Sequence, residues 1–173
     1  QRKKTNRKLI WLPTECSRVR FFYFAIFLAT AVFYGRDVSS LDIEHSGIVT
    51  VTNETRYFAL NPNASRVLFN KEHYAKGNII FSSGERIDGD RLILTYMDET
   101  QFTRNEDAEV LIRYPGENRK GLCVSCVQIY ADVSTTACDT YFVDGGTGLD
   151  FCKILISCNQ TSNLGYQIYM YGY

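Results

Sequence analysis

After residue 47 the apolar positions fall in short runs with a two-residue period. This period puts successive side chains on opposite faces of an extended strand. Residues 141–158, YFVDGGTGLDFCKILISC, show it most clearly. Tyr141, Phe142 and Val143 favour strands. Gly145, Gly146 and Gly148 supply a turn that needs positive φ. The return run sets Cys152, Ile154, Ile156 and Cys158 on one face and Lys153 and Ser157 on the other, with Leu155 as an apolar exception. A β-hairpin is predicted, with a register fixed by its apolar face.

Further strands are expected at 48–52, 78–82, 91–97, 110–114, 122–131 and 166–172, with 98–109 as a charged loop and 160–165 as a turn. Beyond residue 35 no segment holds a 3.6-residue apolar period over 11 positions. The fold class is therefore all-β. A single antiparallel β-sandwich or small barrel of seven or eight strands is expected, ending in a four-strand meander over 122–131, 138–144, 150–158 and 166–172.

The exception to the strand pattern is 21–35, FFYFAIFLATAVFYG, fifteen residues without a charge. It follows a basic arm with Arg2, Lys3, Lys4, Arg7, Lys8, Arg18 and Arg20 against the single acid Glu15. A spanning helix needs about 20 apolar residues, whereas a secretory apolar core needs about 7 to 15 after positive charge. The stretch is therefore expected as an N-terminal hydrophobic helix acting as a signal peptide, with cleavage after Ala31. An uncleaved signal anchor and a buried core helix are the other readings. The division that follows is 1–35 as basic arm plus signal, 36–47 as a polar arm and 48–173 as the β domain.

Charge changes the picture only through its distribution. The totals cancel, 19 basic against 19 acidic residues, which gives no electrostatic reason to expect nucleic acid as a partner. Without the basic arm the remainder is acidic. No membrane association is expected once the signal is removed.

Cys16 precedes the apolar stretch, while Cys123, Cys126, Cys138, Cys152 and Cys158 crowd into 36 residues. In an oxidising compartment such density predicts two disulfides and one odd thiol. Spacing leaves the connectivity open. Cys138 with Cys158 comes first, because a turn centred near 146–147 sets position 138 across from 155 or 156. Three sequons, at Asn53, Asn63 and Asn159, agree with export and glycosylation.

Chemistry is harder to find. Cys123-Val124-Ser125-Cys126 has redox or zinc spacing, but it lies in a strand pattern and lacks a matching second pair. His45 and His73 are the only histidines, and neither sits in a nucleophile motif. The Gly145–Gly148 run leads into a strand, so a hairpin turn suits it better than a phosphate cradle. No catalytic residue, cofactor site or metal site is assigned. Tyr130, Tyr141, Tyr166, Tyr169, Tyr171 and Tyr173 are either ordinary strand residues or a binding surface.

Four marks recur in order: Gly89-Asp90-Arg91-Leu92, then Ile129-Tyr130-Ala131-Asp132 with Ser134-Thr135-Thr136, then Gly145-Gly146-Thr147-Gly148, and Tyr166-x-Ile168-Tyr169-x-Tyr171-Gly172. Over 89–173 this order resembles the insect family named after multiprotein bridging factor two. The resemblance implies a small β-rich protein, and many members carry signal peptides, including salivary and venom proteins of unknown activity. It also implies, for the founding member, a transcriptional co-activator bridging a nuclear receptor to general transcription factors. The cysteines depart from the family pattern and push towards an oxidising compartment. A secreted binding protein with a protein partner is the first expectation, and a nuclear co-activator the second.

Overall fold

The computed structural model describes residues 43–74 and 77–173. The expected signal helix, the basic arm, Cys16 and most of the polar arm lie outside them.

Nine strands and one short helix make up this part. They are β1 (Glu44–His45), β2 (Val49–Thr50), α1 (Tyr57–Leu60), β3 (Val67–Leu68), β4 (Asn70–His73), β5 (Asn78–Gly84), β6 (Arg91–Tyr114), β7 (Val124–Val133), β8 (Cys138–Gly145) and β9 (Cys152–Gly172). All nine strands join one antiparallel sheet along the path β1-β6-β9-β7-β5-β4, with β2 on β6, β8 on β9 and β3 on β8.

The all-β reading holds. The sandwich or barrel is corrected to one open sheet, and the reason lies in two long strands. β9 runs for 21 residues through the segment expected as a turn at 160–165. β6 runs for 24 residues through the segment expected as a loop at 98–109. Along their pairing the register slips between Gln101/Asn163 and Glu106/Thr161, so that four residues of β6 face one of β9. Such a bulge bends a strand without ending it. Gln160, at φ 51°, takes the left-handed backbone at this point. Asp107 Oδ1 accepts from the Gln160 N–H at 2.9 Å and from its side-chain Nε2 at 3.0 Å. Those bonds hold the Asp107 carboxyl below its ordinary range.

Each long strand thus serves two halves of the sheet. In one half β9 lies between β6 and β8; in the other it lies between β6 and β7. The expected four-strand meander is therefore three strands, with β9 central and shared. Ile154, Ile156, Ile168 and Met170 from β9 and Val110 and Ile112 from β6 belong to one buried cluster. The bent sheet covers itself with that core. A second link lies at Phe69, where β3 pairs with β8 and, after one residue, β4 pairs with β5. The Phe69 ring is buried, 4.5 Å from that of Phe142.

Candidate functional site

The outer faces of the two halves differ. On the half built from β8 and the start of β9, the segment 51–66 lies against the sheet. Phe58 packs edge-on against Tyr141 at 5.3 Å, and Tyr141 is the register partner of Leu155. Leu155, the apolar exception of the hairpin, is 1% exposed for this reason. Arg56 pins the segment by donating to Asp107 and to Asn159 Oδ1, each at 2.6 Å. Glu109, itself buried, accepts from the Tyr57 N–H at 2.8 Å and from Ser157 Oγ at 2.9 Å.

The other half, β5-β7-β9-β6, has no element of the described chain on its outer face. Registers give its rows across the strands. One row holds Ile80, Tyr130, Gln167 and Met97; the next holds Ser82, Gln128, Tyr169 and Thr95. Tyr130 and Tyr169 stand edge to face at 5.7 Å. Such cross-strand pairs stiffen a sheet surface without burying it. Tyr130 is 44% exposed and Met97 69%. Two hollows that share Tyr130 and Gln167 mark the face. A larger one of about 710 Å³ lies between Tyr74, Tyr130 and Met97, and a smaller one of about 280 Å³ follows Gln128, Tyr169 and Tyr171.

At the far end of this face the β5–β6 loop is built around Asp90. Its carboxylate accepts from Arg86 Nη2 at 2.6 Å, from Ser125 Oγ at 2.7 Å and from the Ile87 N–H at 3.1 Å. The Arg86 guanidinium foremost, with help from these other donors, holds the Asp90 carboxyl far below the usual carboxylate range. Gly172 closes the face. A Cβ there would stand 2.3 Å from the Cys123 carbonyl oxygen, so only glycine fits.

The sequence-picked residues scatter over this frame. Cys138 and Cys158 face each other in register and form a disulfide. The expected second bridge is corrected, since Cys123, Cys126 and Cys152 are free thiols. Cys126 and Cys152 are both buried, Cys126 on the side of Tyr171 and Cys152 in the core, and burial pushes the Cys152 thiol up to about 12. Cys123 lies outside the buried set, two residues beyond the loop that Gly121 tucks under the Asp150 carbonyl. Asn53, Asn63 and Asn159 are all exposed. Asn53 and Asn63 belong to the covering segment, and Asn159 is bonded to it through Arg56. The two histidines are apart: His45 meets Tyr96 at 2.8 Å, and His73 ends β4. Gly145 and Gly148 take positive φ in the β8–β9 turn, as the hairpin reading requires. Among the tyrosines, Tyr166 is buried, while Tyr130, Tyr169 and Tyr171 form the uncovered face.

Sequence reasoning missed Met97, Glu99, Asp132 and Gly165 as surface neighbours. No local signal marks them, because 98–101, Asp-Glu-Thr-Gln, holds no apolar position in which a two-residue period could show.

Among the described residues no helix is long and apolar enough to cross a membrane. Among them too, no group of three or more His, Cys, Asp or Glu side chains is placed to hold a metal ion. No curated protein and no solved structure matches the chain. One family model does, described as Transcription activator MBF2, over residues 83–172. That span starts at the end of β5, ends at Gly172 and takes in the β6, β7 and β9 part of the uncovered face with Asp90, Tyr130, Tyr169 and Tyr171. It covers just over half of the 173 residues, and the chain belongs to the Transcription activator MBF2 family.

Proposed function

We propose that the chain is a non-enzymatic, exported interaction protein that grips a protein partner with the uncovered face of β5-β7-β9-β6. The observation that carries this reading is the contrast between the two outer faces. One is sealed by Phe58 and its segment, while on the other Tyr130 is exposed and Tyr169 and Tyr171, half-buried, line an open hollow. Tyrosine gives large contact area at little cost in side-chain entropy, which is why it recurs in binding surfaces. Export is supported by the Cys138–Cys158 disulfide, which suits an oxidising compartment. The three exposed sequons add to it. All lie on or beside the covering segment, so glycans there would leave the tyrosine face clear.

Intact-mass measurement on full-length chain expressed in cultured eukaryotic cells tests export. The expected product is recovered from the medium, has lost its leader, loses mass on deglycosylation and gains two protons per bridge on reduction. Retention inside cells with every cysteine freely alkylated would end the export reading.

A second reading comes from the family's own description: a nuclear co-activator that acts through protein contacts. A reporter assay with the full chain separates the two. Activation lost in a Tyr130→Ala/Tyr169→Ala variant supports the nuclear role, and complete recovery from the medium removes it.

A further inference from the structure

Gly165 is a glycine that the fold does not require. Its φ is not positive, and a Cβ added there would meet Glu99 Cβ at 3.5 Å and Asp132 Cβ at 3.9 Å, ordinary contact distances. Its absent side chain leaves the floor of the larger hollow open. In register, Gly165 lies between Asp132 of β7 and Glu99 of β6, so two carboxylates flank the gap. Both are exposed, and among the described residues neither has an ion-pair partner. Tyr74 and Tyr130 on one side and Met97 on the other wall the same hollow. The rest of the chain points the same way: residues 21–173 carry 12 basic against 18 acidic side chains, an excess of six negative charges.

From this we infer that the hollow over Gly165 takes a lysine or arginine side chain from an extended, basic segment of a protein partner. The reading rests on the proposed interaction role and names the chemistry of its partner. The alkyl stem of the cation lies over Gly165 between Tyr130 and Met97, as long basic side chains cover apolar surface while keeping the head polar. The charged head meets Glu99 and Asp132, and flanking residues of the segment reach the smaller hollow at Tyr169 and Tyr171. The volume of about 710 Å³ far exceeds one side chain, and its walls are open to solvent. A segment with neighbouring residues fits it better than a lone small cation. Attraction of this kind speeds encounter and falls with salt.

The test uses the full chain and two fluorescent probes, a decapeptide alternating lysine and tyrosine and one alternating glutamate and tyrosine, with free butylamine as an unlabelled competitor. Anisotropy at low and physiological salt reads affinity, and amide NMR shifts read the location. The expected result is binding of the lysine peptide alone, weakened tenfold or more by Gly165→Val and by Glu99→Gln/Asp132→Asn, with unchanged melting temperatures. Shifts should centre on residues 97–99, 130–132 and 165–167. Equal binding of the glutamate peptide, binding untouched by either variant, or shifts centred elsewhere would overturn the inference. So would full competition by butylamine at the peptide's own concentration, which would make the site one for small amines. A natural partner that still binds the Gly165→Val chain, but not a Tyr130→Ala/Tyr169→Ala chain, would sink this inference and leave the interaction role standing.

Discussion

Arg86 lays its guanidinium over the ring of Tyr171, 3.7 Å from the centroid, while donating to Asp90. Asp90 and Tyr171 lie in two widely separated marks of the family resemblance, and Arg86 is the side chain that joins them. The loop after β5 is thereby fastened to the last residues of β9. Arg86→Ala and Tyr171→Ala should each lower the melting temperature, and the double variant should lose less than the two losses combined. A thermal double-mutant cycle checks this coupling. The acid side has its own signature. The native Asp90 carboxyl titrates below its unfolded value, so its contribution is present above about pH 4 and is lost as pH falls. Asp90→Asn should flatten the acid limb of a stability-against-pH curve.

Gly172→Ala should destabilise the fold, because the new Cβ meets the Cys123 carbonyl, a backbone atom that cannot swing aside. The loss should reach the upper end of the usual single-residue range, about 3 kcal/mol. Urea unfolding measures it, with Gly165→Ala as the near-neutral control.

Removing the Cys138–Cys158 bridge frees a loop closed across 20 residues of sequence separation. The chain-entropy account puts the cost at about 3 kcal/mol. Cys138→Ser/Cys158→Ser should show that loss in urea. Reductant should move the midpoint of the parent chain and leave that of the variant in place.

Alkylation of the native chain at pH 8 should label Cys123 first. Cys152 is sealed inside, and its raised pKa of about 12 leaves a thiolate fraction on the order of 10⁻⁴. Mass spectrometry of digested, iodoacetamide-treated protein should find Cys152 modified only after denaturation.

Much of the fold was legible in alternating positions. The 78–82, 122–131 and 138–144 runs became β5, β7 and β8 with ends shifted by a few residues. The hairpin register came within about two or three positions, since Cys138 faces Cys158 itself. Two breaks were misread for one physical reason. Most of 98–109 is charged or polar because β6 as far as Glu106 has β9 on one side only, and an edge strand tolerates polar side chains; β2 pairs only from Ala108 onward. Residues 160–165 look like a turn because Gln160 sits in a bend that the strand survives, held by Asp107 from another part of the chain. Neither tertiary cause is visible in a local window. The uncovered face was half legible: its tyrosines stood out, but the contrast that gives them meaning depends on Phe58 sealing the opposite half.

The bent strand β9 comes after every strand it pairs with. β6, β7 and β8 each hydrogen-bond to it. A ribosome will have delivered three future neighbours before the piece that unites them emerges. Their assembly must wait for the end of synthesis of this region, and until then their edges are bare. A chain handed unfolded across a membrane, and completed on the far side, would meet that requirement without a pause.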